Sequence, residues 1–113
     1  MKDNEWIARA DFVWVGPDGS RSPIGVRIAA PRPAGPHEWN CRLALEGLYD
    51  DLSPVSGNDS LQALGLAWRL AGMLLANVEA NGGQLEFETG EAVPLSSYFG
   101  NPLTSPEAPD QAI

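Results

Sequence analysis

The chain has 113 residues, enough for one domain and no more. Its 43% hydrophobic and 19% charged residues suit a folded core and exclude a disordered chain. The net charge of −8 sets aside a nucleic-acid backbone or an anionic membrane surface as partner. That charge is uneven: all the basic residues but Arg69 fall before position 46, and ten of the fifteen acidic residues fall from Glu46 onward. Solubility is the plain use of such acidity. The sharper one is a surface for a basic protein, with Glu46, Asp50, Asp51, Glu86, Glu88 and Glu91 as candidates.

In chain order, residues 6–15 alternate as a strand, with Trp6, Ala8, Ala10, Phe12 and Trp14 on one face and Ile7, Arg9, Asp11, Val13 and Val15 on the other. Gly16-Pro17-Asp18-Gly19-Ser20 is a turn: Pro sets φ, and Asp-Gly permits positive φ. Ile24, Val26 and Ile28 then alternate with Gly25, Arg27 and Ala29, completing a β-hairpin. Pro31, Pro33 and Pro36 predict a stiff loop without regular structure. A third strand follows, with Trp39, Cys41, Leu43 and Leu45 on one face and Asn40, Arg42 and Ala44 on the other. Leu48, Tyr49 and Leu52 suggest a short helical turn before Pro54.

The clearest element is a helix over residues 60–80. Asp59 is a good N-cap, Gln62 completes a capping box, and Asn81-Gly82-Gly83 supplies the stop. The helix is apolar nearly all round. Leu61, Leu64, Trp68, Leu75 and Val78 form one stripe, and Ala63, Ala67 and Ala71 recur every fourth position. Leu66, Leu70, Met73 and Leu74 lie mostly outside that stripe and need cover of their own, either from the chain itself or from a second copy. They are the candidate dimer stripe. Arg69 at mid-length argues against a membrane span. Leu85 and Phe87 then mark a fourth strand, and Thr89-Gly90-Glu91 turns the chain. From Asn101 the prolines 102, 106 and 109 predict a flexible tail over residues 101–113, after a single domain over 1–100.

The expected architecture is therefore α+β: a mostly antiparallel four-stranded sheet, in chain order β-β-β-α-β, with one long helix packed across it. The N-terminus lacks the basic and apolar regions of a secretory signal, and Cys41, the lone cysteine, cannot form an intramolecular disulfide. A cytoplasmic protein is expected.

No catalytic set stands out. His37, the only histidine, sits in the proline-rich segment, and Cys41 shares a face with Trp39 and Leu43, where burial leaves a thiol inert. One His and one Cys cannot make a structural zinc site, and Glu46, Asp50, Asp51 and Asp59 match no calcium loop. Gly16, Gly19 and Gly25 lie in or after a hairpin turn, not between a strand and a helix, so no cofactor is expected. Arg9, Arg27 and Arg42 each fall opposite the apolar alternation, as a candidate anion-binding row on the sheet's outer face. Cross-strand salt bridging is the plainer use of that row.

The segments Trp39-x-Cys41, Glu46-Gly47-Leu48-Tyr49, Asp59-Ser60-Leu61-Gln62-Ala63-Leu64 and Gly82-Gly83-x-Leu85 resemble a family of short bacterial proteins classed as a domain of unknown function. The resemblance spans most of residues 6–99 and implies no activity. The reading is of a non-enzymatic interaction domain, of immunity type or otherwise inhibitory, that masks a basic partner. The alternatives are an anion-binding module or an obligate homodimeric accessory subunit.

Overall fold

The computed structural model describes residues 6–100; the expected tail over 101–113 lies outside them. Two strands, β1 (Trp6–Val15) and β2 (Arg21–Ala29), form the antiparallel hairpin. Its turn closes as the sequence requires: Gly19 has φ +86°, and the Ser20 backbone N–H donates to Asp18 Oδ1 at 2.9 Å. Three further strands follow: β3 (Arg32–Gly35), β4 (Glu38–Cys41) and β5 (Leu43–Glu46). Then come β6 (Val55–Gly57), α1 (Ser60–Ala80), β7 (Gln84–Glu86) and the short α2 (Leu95–Phe99). The main sheet is antiparallel in the order β5-β2-β1-β7, and α1 packs against it, so the α+β architecture with a four-stranded antiparallel sheet is established.

A second, three-stranded sheet ordered β3-β4-β6 was not expected. The proline segment is not an irregular loop. Arg32–Gly35 forms a strand, with Pro33 registered opposite Trp39 and His37 exposed in the two-residue connection to β4. Proline is tolerated because β3 is an edge strand with a partner on one side only. The expected third strand is thus two, broken at Arg42, where the chain passes from one sheet to the other. Cys41, Leu43 and Leu45 do face the core, while Trp39 is half-buried. Instead of a helical turn after Glu46, a tight turn brings Tyr49 back to bridge Leu45.

The core consists of Phe12, Ile24, Val26, Ile28, Cys41, Leu43 and Leu45 from the strands, with Leu85 and Val93 from the chain after α1. Burying side chains such as Ile28, Leu45 and Leu85 contributes about 1.5–3 kcal/mol each. Onto these α1 sets Ala63, Ala67, Ala71, Leu75 and Val78. The expected stripe was therefore wrong in its first half. Leu61 is 78% exposed and Trp68 39%, and the alanines take their place. Small residues let the helix come close: a Cβ on Gly57 of β6 would meet the Ala63 backbone nitrogen at 2.5 Å. By length and composition alone α1 is apolar enough to cross a membrane, but its alanine face is buried in the domain.

The helix ends follow local chemistry. Gln62 N–H donates to Asp59 Oδ1 at 2.8 Å, and Gln62 Oε1 accepts from the Asn58 N–H at 2.6 Å. Gly82 at φ +105° supplies the stop. The C-terminal segment wraps part of the helix. Phe99 of α2 stacks obliquely on Trp68 with centroids 5.0 Å apart, and Tyr98 meets Phe12 edge-on at 5.5 Å. Gly72 makes room for Phe99.

Candidate functional site

The pleat sends Arg9, Asp11 and Val13 of β1 to the outer face of the main sheet, together with Gly25 and Arg27 of β2 and Ala44 and Glu46 of β5. Arg9 is registered directly opposite Arg27, and Gly25 stands between Asp11 and Glu46. Arg27 is 8% exposed, the one buried charged residue among those described. Its Nη2 lies 3.0 Å from Asp11 Oδ1 and 3.4 Å from Glu46 Oε1, while Nη1 donates to the Val26 carbonyl at 3.2 Å. A buried guanidinium needs such partners, because burying an uncompensated charge is costly.

Of the candidate Arg row, Arg9 and Arg27 are cross-strand neighbours, Arg42 lies between β4 and β5, and the three stand in different settings. Arg27 is held by carboxylates, Arg9 is exposed, and Arg42 sits over the Trp6 ring, 4.9 Å from its centroid. Trp6 reaches this face because the β1–β2 register shifts between Trp6 and Ala8. The strict alternation that placed Trp6 with Ala8 does not hold there.

The candidate acidic residues are scattered. Glu46 and Glu88 line a cleft of about 390 Å³ together with Asp11, Gly25 and Arg27. Glu86 pairs with Arg21 at 2.9 Å. Asp50 and Asp51 are exposed after β5, and Glu91 is exposed in the turn after β7. Among the described residues no three His, Cys, Asp or Glu side chains are grouped to hold a metal. Cys41 is fully buried, its thiol donating to the Ala29 carbonyl at 3.3 Å, and burial pushes its pKa up.

The candidate dimer stripe does form one surface. Leu66 and Met73 are 41% and 42% exposed, and Leu70 and Leu74 beside them are half-buried. Leu70, Met73, Leu74, Ala76, Asn77 and Ala80 line a shallow groove of about 320 Å³. A second apolar groove, of about 340 Å³, opens on the other flank of α1 between Ile7, Ala8 and Ile28 of the sheet and Leu61, Leu64, Gly65 and Trp68 of the helix. The helical stripe read from the sequence grouped Leu61, Leu64 and Trp68 with Leu75 and Val78 and gave no sign of this groove; of the three, Leu64 does pack partly against the core.

The sequence profile of one family matches residues 12–95, which takes in the end of β1, the other strands of both sheets and α1. The chain belongs to DUF6968, a domain of unknown function. No curated protein matches the chain, and no solved structure does. Membership of DUF6968 therefore brings no activity with it, and the surfaces must be weighed on their chemistry.

Proposed function

We propose that the chain is a non-enzymatic protein-interaction domain, of immunity or other inhibitory type, with the outward face of α1 as its contact surface. The observation that carries this is the inversion of the helix: alanines face in, while Leu66, Leu70, Met73 and Leu74 face out or half out. Leucine and methionine at such positions cost solubility unless something covers them. The acidic second half selects a basic partner, since complementary charge speeds encounter and rejects wrong partners. The anion-binding alternative has less support, because two carboxylates already engage Arg27.

The test is affinity capture with the full chain and with the Leu66→Asp/Met73→Asp variant, alongside light scattering over a concentration range. A basic protein bound by the first and lost by the second supports the proposal. An acidic partner, or capture unaffected by the variant, refutes it. A stable dimer that Met73→Asp separates assigns the face to self-association and favours the accessory-subunit alternative.

A further inference from the structure

The main sheet has an open edge where the second apolar groove lies. Strand β1 pairs with β2 along its length, but β7 meets it only at Val13–Val15. The Leu85 carbonyl accepts from the Val93 N–H, on the side away from β1. Gln84 and Glu86 therefore turn their backbone groups toward β1, and Val13 and Val15 answer them. By the same two-residue period, Arg9 and Asp11 aim their N–H and C=O groups out of the edge. Among the described residues no strand pairs with Trp6–Phe12 on that side. An unpaired edge is a template for another strand.

Directly inside this edge lies the groove between Ile7, Ala8, Leu61, Leu64, Gly65 and Trp68. Ile7 is 57% exposed and Leu61 78%. Farther along the same trough, Tyr98 and Phe99 of α2 close over Ala8, Ala10 and Phe12, leaving a cavity of about 110 Å³. The chain thus fills one end of the trough with its own aromatic pair and leaves the other open. A Cβ on Gly65 would touch nothing within 4 Å, so the helix wall is notched there.

We propose that an extended segment of a partner protein adds to β1 as a further strand, setting alternate apolar side chains into the groove between β1 and α1. Main-chain bonds to Arg9 would supply affinity, and the Leu61–Gly65–Trp68 wall would supply selectivity. Arg9 stands exposed on the opposite face, whereas Asp11 is already paired with Arg27. Charge complementarity therefore places a carboxylate at the partner position opposite Arg9. The ligand is a strand that alternates apolar and polar residues, with an acidic residue opposite Arg9 and none opposite Asp11, about five or six residues long, as strands usually are. This surface is separate from the Leu66–Met73 face, so either assignment can fail without the other.

The experiment pans displayed random ten-residue peptides against the full chain and measures the selected peptide by fluorescence anisotropy. Alternating apolar–polar sequences with one acidic residue at a polar position should enrich. Arg9→Pro removes an edge N–H that faces away from β2, a position where proline is tolerated, and should weaken binding about tenfold or more. Arg9→Ala keeps that N–H and should lose only the preference for a carboxylate. Gly65→Leu fills the notch, improves helix propensity and should also weaken binding about tenfold or more. No enrichment, or binding unchanged by both Arg9→Pro and Gly65→Leu, would overturn the proposal. So would a peptide-free dimer that Arg9→Pro dissociates, since the occupant would then be a second copy.

Discussion

Arg27 lies over Gly25: a Cβ built on that glycine would sit 2.8 Å from both terminal guanidinium nitrogens. The glycine is therefore the floor on which the buried cation rests, between Asp11 and Glu46. In Gly25→Ala the Arg27 side chain must swing toward solvent and leave its two carboxylates. The expected loss is about 1 kcal/mol, since Asp11 and Glu46 are themselves well exposed and their pairing is screened. Alanine otherwise suits a strand interior better than glycine. In an Arg27→Ala background Gly25→Ala should therefore become neutral or stabilising. A double-mutant cycle by urea unfolding measures that change of sign.

Gly83 and Trp14 are coupled more tightly, because the indole occupies the space that a Cβ on Gly83 would need. No far end of a flexible chain is available to give way here, so Gly83→Ala must move the ring. Overpacking of this kind costs about 1–3 kcal/mol. Thermal unfolding should report the loss, and tryptophan emission should shift as Trp14 is displaced. Unchanged emission and stability would mean that the ring does not rest there.

The inverted helix makes a prediction opposite to the one its hydropathy suggests. Ala67 is fully buried and Leu66 is 41% exposed. Ala67→Leu should destabilise by about 1–3 kcal/mol as the helix is forced off the sheet. Leu66→Ala should stay within about 0.5 kcal/mol, as surface changes usually do. The denaturant midpoint of Ala67→Leu decides between this face and the stripe read from the sequence, and Leu66→Ala serves as the surface control.

That misreading shows where local sequence information ran out. The hairpin, the start of α1 and its stop were legible because each rests on neighbours in the chain: Asp18 with Ser20, Asp59 with Gln62, Gly82 in its turn. An all-round apolar helix has no hydrophobic phase to read, so its buried face was set by close approach instead. The fourfold spacing of Ala63, Ala67 and Ala71 was the available signal. The second sheet was hidden for other reasons: β3 carries a proline, and β6 has three residues, too few to show a period. One register shift beside Ile7 moved Trp6 to the other face, which no alternation rule foresees. The acidic and arginine candidates were legible as a composition, but their pairing across β1, β2 and β5 was not.

Cys41 gives a pH-dependent prediction. Its thiol pKa is raised from the ordinary 9.0 because burial disfavours the thiolate. The folded state therefore holds a proton that the unfolded chain releases above that value, so the contribution is complete below about pH 9 and falls as pH rises further. Native protein should react with a thiol reagent only at the rate of opening, and unfolded protein at once. Rapid labelling of the native chain at neutral pH would contradict the buried position.

The N-cap of α1 offers the last prediction, and it separates local from tertiary stabilisation of the helix. Asp59 accepts the Gln62 N–H, and Gln62 returns a bond to the Asn58 N–H, one residue earlier than a capping box requires. Asp59→Ala removes the acceptor and should cost about 1 kcal/mol, within the usual range for caps. Asp59→Asn keeps an acceptor and should cost much less. Because Gly57 abuts the Ala63 backbone, fraying of this turn would also loosen β6 from the helix. Hydrogen exchange at Val55–Gly57 should therefore accelerate in Asp59→Ala together with that of the first helical turn. Faster exchange confined to the helix would show that β6 is held by β4 alone.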